Sequence, residues 1–245
     1  MKQIFFDKEK LVVIKVFSSL NILRRELCGA KSFSLLVRVP QMEVLDTKVL
    51  KISLLEGFLG YQVSEEDLNL VIASFLLKKK PLKRSSKFSI TEEIKKLQKD
   101  FQDDLEIILK LRKILQEIQN RELFPVHGDL QKQNIIIGNS NLGLIDFEHF
   151  ILAPKELEVC NSLFFNDGNC LDIPGILKKI PEGFFDKKAI NLMLEFFAIK
   201  QISFGMSKFE AEKRLKMAQK KVDGLTFGHK KVNLAKEERS GYYFI

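Results

Sequence analysis

The stretch from Val126 to Phe150, VHGDLQKQNIIIGNSNLGLIDFEHF, holds two aspartates and an asparagine at the ends of two apolar runs. Ile135, Ile136 and Ile137 alternate with nothing polar, as a fully buried strand does; Gly138-Asn139-Ser140-Asn141 supplies turn residues, and Leu142 to Ile145 return as the partner strand. A hairpin of that kind carries Asn134 and Asp146 to the same end. Hard divalent cations take oxygen ligands, and magnesium keeps some waters while taking one or two protein oxygens plus substrate phosphates, a demand that Asn134 and Asp146 meet. Asp129 stands five positions before Asn134. That is far enough along a tight loop to face an incoming hydroxyl, orient it and accept its proton. The competing reading is turn chemistry alone, since a buried hairpin with an aspartate at its end needs no further purpose.

His127-Gly128-Asp129 followed by Asn134, and then Ile145-Asp146-Phe147-Glu148, resembles the catalytic segment of the aminoglycoside phosphotransferase and choline kinase superfamily. Several spaced matches are more specific than one short motif. The resemblance implies an α+β, two-lobed, protein-kinase-like fold, with a reduced N-terminal sheet lobe over residues 1–57 and a mainly helical lobe over residues 58–245. It makes His127 a structural brace, Asp129 the catalytic base, and Asn134 and Asp146 the magnesium ligands. Glu148 and His149 fall to substrate-side or structural roles.

Upstream, Ile4 to Phe6 and Leu11 to Phe17 predict a hairpin around Asp7-Lys8-Glu9-Lys10. Ser18 or Ser19 can cap a helix from Leu20 toward Gly29, a natural stop, and Leu35 to Val39 and Val49 to Leu55 read as further strands. Lys15 is a single charge within Val12 to Phe17, so its ammonium needs a partner, and Glu26 on the following helix is the candidate. The pair is similar to the family's strand lysine, which contacts the α- and β-phosphates of ATP while held by a helix glutamate; an edge lysine reaching solvent is the alternative. Leu54 to Gly60 resembles the family's interlobe hinge, where backbone groups of an extended segment hydrogen-bond the adenine edge, a role the resemblance gives to Glu56 and Phe58; an ordinary loop with two glycines is the alternative. The family's phosphate lid, a hairpin with a glycine-rich turn, has no counterpart: fourteen residues precede Lys15 and none is glycine. An incomplete start, a compact enzyme relying on Lys15 and metal, and a catalytically silent nucleotide-binding adaptor all answer to that. Retention of base, asparagine and metal aspartate favours the compact enzyme.

The elements that must hold the motif from below read as helices. Ser64-Glu65-Glu66-Asp67 caps one through Leu77, and a basic run follows, Lys78, Lys79, Lys80, Lys83, Arg84 and Lys87, which reads as a solvated loop before an anion site. Ser89 with Glu92 makes a capping box, and Leu97, Phe101, Leu105, Ile108, Leu111, Leu115 and Ile118 keep helical spacing, with a break near Asp103. Glu158 matches the family's acidic anchor between the metal-binding loop and a buried helix. Ala189 to Ser203 and Lys208 to Val222 read as helices, and the resemblance implies that this region helps form the acceptor pocket, with Leu163 to Gly175, including Asn166 and Asp167, as a wall.

Composition bounds the function. The chain has 245 residues, 45% hydrophobic, with no stretch long enough for a membrane span and no secretory leader pattern, so a cytoplasmic location is the default. Cys28, Cys160 and Cys170 match neither a zinc site nor a disulfide framework and read as reduced core residues. A net charge of +8 suits phosphorylated metabolites or peripheral contact with an anionic surface; without basic-aromatic interleaving, nucleic acid is not an expected partner. The expectation is an ATP- and magnesium-dependent phosphotransferase acting on a hydroxyl of a small molecule: a sugar, amino alcohol, antibiotic or glycan precursor. The basic charge weighs against a polycationic antibiotic.

Overall fold

A computed structural model describes residues 3–7, 10–82, 87–138, 141–165 and 167–226. Lys8 and Glu9 of the first turn, Lys83 and Arg84 of the basic run, the turn residues Asn139 and Ser140, and Asn166 lie outside that set.

The N-terminal hairpin forms as the two apolar runs predict, with β1 (Gln3–Asp7) antiparallel to β2 (Val12–Val16), and β4 (Val49–Ser53) pairs on the other side of β2. The strand that Leu35 to Val39 predicts does not form. The chain curls there instead, because the Leu36 and Val37 amides both donate to Phe33 O, at 2.8 and 3.0 Å, and Leu35 is left 94% exposed. The fourth strand is β3 (Met42–Asp46), placed at the sheet edge in the order β1-β2-β4-β3. Its side chains are mostly exposed, so no buried alternation marks it in the sequence.

Helix α1 (Leu20–Phe33) starts at Ser19, whose hydroxyl accepts from Ile22 N at 3.3 Å. It runs straight through Gly29, where the sequence predicts a stop. The glycine serves close packing: a Cβ there would sit 2.5 Å from the Phe147 Cβ and 2.9 Å from that of Phe150. One stripe of α1, comprising Leu23, Glu26, Gly29, Ala30 and Phe33, is buried. Leu23 packs with Phe17, Leu50 and Ile52 under the sheet, whereas Ala30 and Phe33 enter the larger core of the helical region. Glu26 is thereby pinned between two cores, each buried Phe or Leu contributing roughly 1.5–3 kcal/mol.

Helices α2 (Glu65–Lys78), α3 (Ile90–Asp100) and α4 (Leu105–Ile118) follow, the last two separated where the sequence predicts a break. Asp104 caps the new start by accepting from Ile107 N at 3.1 Å. Two short sheets carry the motif: β6 (Phe124–Val126) pairs with β9 (Ile151–Ala153), and β7 (Ile135–Ile137) lies between β5 (Phe58–Leu59) and β8 (Leu142–Leu144). Behind them stand α5 (Leu157–Phe165), α6 (Ile173–Lys178), α7 (Lys187–Ser203) and α8 (Lys208–Asp223). The three cysteines are free thiols. Among the described residues no helix is long and apolar enough to cross a membrane.

Candidate active site

The β7–β8 hairpin does bring Asn134 and Asp146 to one end, and Ile145 N donates to Asn134 O at 3.1 Å across the gap. Asp146 sits in the left-handed region, φ 64°, a conformation that costs a non-glycine residue about 1–3 kcal/mol and is held only where surroundings over-determine it. Its Oδ1 meets the Lys15 ammonium at 3.0 Å, and the same ammonium donates to Glu26 Oε1 at 3.0 Å. The structure thus brings together Lys15, Glu26 and Asp146, from a strand, a helix and a loop. The alternative of an edge lysine reaching solvent is excluded, because Lys15 and Glu26 are both buried.

Asp129 lies on the loop between β6 and β7. Asn134 Nδ2 donates to its Oδ2 at 3.0 Å and to its main-chain O at 2.9 Å, while Asn161 Nδ2 donates to its Oδ1 at 2.7 Å. Gln131 Nε2 in turn holds Asn161 Oδ1 at 3.0 Å. Burial pushes the Asp129 carboxyl above the usual carboxylate range and the Asp146 charge adds to that; the His127 field and the two asparagine amides pull the other way. A carboxyl shifted upward binds a proton more readily than a free one, the direction that general-base chemistry asks for. Sequence reading missed Asn161 and Gln131, because nothing local marks an asparagine on α5 as a neighbour of Asp129.

His127 is fully buried and plays the part of a brace. Its Nε2 faces Ile145 O at 2.8 Å, and since a carbonyl only accepts, Nε2 carries the proton. That ties the residue before Asp146 to the loop that carries Asp129. The His127 amide donates to Glu158 Oε1 at 3.0 Å, so Glu158 reaches the Asp146 loop through His127 rather than by direct contact. The second partner of Glu158 corrects the reading of the basic run: Lys79 is buried, ion-paired with Glu158, and lies 5.5 Å from the Phe33 ring centroid and 5.4 Å from that of Phe75. It is neither solvated nor an anion site. Gly128, at φ +79°, has no room for a Cβ, which would strike the His149 carbonyl.

The crossing segment is held tightly. Phe58 pairs with Ile137 in β7, and Glu56 O accepts from Arg38 Nη2 at 3.1 Å. Of the two backbone positions that resemble an adenine-contacting hinge, the Glu56 carbonyl is therefore already engaged, and Phe58 is part of a strand pair. A cavity of about 990 Å³ lies next to them, lined by Val37, Leu55, Leu70, Phe75 and Ile137; Asp129, Asn134, Asp146 and Lys15 are not among its walls.

The donor set fits a magnesium ion. Asn134 spends its amide nitrogen on Asp129 and keeps its amide oxygen, and the hairpin carries it to the same end as the Asp146 carboxylate; both are hard ligands of the kind this cation takes together with phosphates. Among the described residues no three His, Cys, Asp or Glu side chains cluster as a cage for a metal.

No protein-family model matches the chain, and no functionally curated protein does either. Its fold is nevertheless that of the kinase-like phosphotransferases. A choline kinase, LicA from Streptococcus pneumoniae, has a TM-score of 0.61 over 91% of this chain and 90% of its own, at 15% identity. A thermostable mutant of aminoglycoside phosphotransferase APH(4)-Ia scores 0.61 over 91% and 90%, at 13% identity. A ternary complex of APH(2")-IIa with streptomycin and ATP scores 0.57 over 89% and 88%, at 17% identity. At such identities the likeness is one of fold, and function has to be argued from the site.

Proposed function

We propose that this chain transfers the terminal phosphoryl group of ATP to a hydroxyl group of a small molecule, with magnesium. The observation that supports the reading most is the convergence of a doubly held carboxylate, Asp129, with the Lys15–Glu26–Asp146 charge cluster at one end of a hairpin. Asp129 takes the acceptor proton as the acceptor oxygen bonds to phosphorus, and the bond from phosphorus to the bridging oxygen breaks, leaving ADP. Lys15 offers positive charge to the phosphates, and Glu26 keeps that charge in place. Magnesium, held by Asn134 and Asp146, would spread the phosphate charge. In this reading residues 1–57 form the nucleotide lobe, with Glu56 and Phe58 at the adenine edge, and residues 58–245 the catalytic and acceptor lobe. A cytoplasmic location goes with ATP as donor.

The test is ATP consumption across a panel of hydroxylated metabolites and glycans, with Asp129→Asn alongside. Turnover should fall by about 10²–10⁴-fold in the variant, while calorimetry shows ATP–magnesium binding nearly unchanged. Unaltered turnover in Asp129→Asn removes its role as base. Nucleotide binding without transfer to any acceptor turns the chain into a silent adaptor, and absence of nucleotide binding refutes both.

A further inference from the structure

The cavity beside the crossing segment has no part in the roles above. Its volume, about 990 Å³, is at the upper end of what small-molecule sites enclose. Most of the wall is apolar, with Leu36, Leu70, Phe75 and Ile137 in it, and Leu35, which also belongs to it, is 94% exposed. Apolar surface left to water in this way is covered at a gain when an apolar ligand enters.

The charge of the wall is one-sided. Among its described residues only Arg38 and Lys78 are charged, and neither pairs with a carboxylate of the described residues. Glu56 meets the Arg38 Nη2 through its carbonyl, at 3.1 Å, and Asn141 does the same at 3.3 Å; the Glu56 side chain is not part of the wall. Carbonyls accept the hydrogen bonds but bring no negative charge, and the buried Arg38 Nε has no acceptor. Lys78 is exposed at the end of α2, where its neighbour Lys79 has taken Glu158.

Arg38 is also fixed in place. Its amide donates to Leu142 O at 2.9 Å, its carbonyl accepts from Leu144 N at 3.0 Å, and a Cβ on Gly138 would strike the guanidinium. A cation held before any ligand arrives has little freedom left to lose on binding one.

We propose that this cavity is a second binding site, for a single-chain amphiphile whose apolar body lies against Leu70, Phe75 and Ile137 and whose anionic head, carboxylate or phosphate, is held by Arg38 and Lys78. A cationic amphiphile meets two like charges there and no acid. A concave pocket of this size takes one such molecule, not a flat lipid surface. Its occupation asks nothing of a phosphoryl donor, because Lys15, Asp129, Asn134 and Asp146 lie outside its walls.

Calorimetry on the full chain, below micelle-forming concentrations, tests this with octyl phosphate, octanoate, octanol and octyltrimethylammonium. One or both anions should bind, the tighter of the two identifying the preferred head, while octanol and the cation bind about tenfold more weakly or less. Arg38→Met and Lys78→Met should each bring the anion's affinity down toward that of octanol, and Leu70→Trp, which fills the cavity, should weaken the anion about tenfold or more. Thermal melts show that each variant is folded, and Lys78, being exposed, can be replaced without touching the core. Excess ATP with magnesium should not displace the anion. Octanol or the cation binding as tightly as the anions, undiminished anion binding in folded Lys78→Met or Leu70→Trp, displacement by ATP, or absence of anion binding overturns the proposal. Phosphoryl transfer without amphiphile binding would remove this site and leave the phosphotransferase reading intact; amphiphile binding without transfer would do the reverse.

Discussion

Two lysine–glutamate pairs hold this molecule's machinery, and they sit in different surroundings. Lys79 and Glu158 are sealed, each side chain 1% exposed, with Phe33 and Phe75 against the ammonium and the His127 amide on the carboxylate. Lys15 and Glu26 are also buried, but their third member, Asp146, has a side chain 27% exposed and comes from the loop that would meet the phosphates. The sealed pair has nothing to exchange, so it acts as architecture under the loop that carries Asp129. Under the proposed function the open cluster would trade Asp146 for a phosphate oxygen on Lys15 without leaving Glu26 alone, which is what a ligand-binding cation requires.

The comparison breaks most visibly at the sealed pair. Lys79→Met leaves the Glu158 charge buried without its ammonium and should lower folding stability by about 3–5 kcal/mol, read from urea unfolding. Lys79→Met combined with Glu158→Gln should recover part of that loss, since both charges are then gone; a double variant worse than the single one would show that the pair is not a unit. At the open cluster Glu26→Gln should raise the KM for ATP about tenfold by releasing Lys15, with a much smaller stability loss than Lys79→Met. Equal stability losses at the two sites would erase the distinction.

Two smaller effects sharpen it. The Asn161 hydrogen bond lowers the Asp129 pKa, so Asn161→Ala should move the acid limb of the kcat/KM profile to higher pH. Its rate loss at neutral pH should be about tenfold, the worth of one hydrogen bond to a charged group. His149 titrates at about 4 in the folded chain against 6.5 for a free imidazole. Between those values the unfolded chain binds the proton and the folded chain does not, so stability falls as pH drops from about 6.5 toward 4. His149→Gln should flatten the melting temperature across that window relative to the parent chain; parallel curves would mean that His149 takes no part.

Legibility followed the range of the interaction. The β7–β8 hairpin, the Ser19, Ser64 and Ser89 caps and the break before Asp104 could be read from neighbours in sequence, because turn residues, caps and periodicity act over a few positions. The Lys15–Glu26 pairing was legible for a related reason: a lone charge in a buried strand needs a partner, and the next helix supplied one acid at the right place. Leu35 to Val39 misled because its apolar residues serve a curled connection, and Gly29 misled because a glycine can end a helix or admit two phenylalanines.

What the sequence alone determined was the set of candidate groups and the local pieces that carry them: Asp129, Asn134 and Asp146 on one hairpin and its approach loop, and Lys15 on a strand. Tertiary structure decided which of them meet and what else joins. Lys15 finds Asp146 across 131 positions, Lys79 finds Glu158 across 79, and Asn161 finds Asp129 across 32. Such partners are selected by how helices and sheets pack around a shared core, and no local spacing encodes that choice.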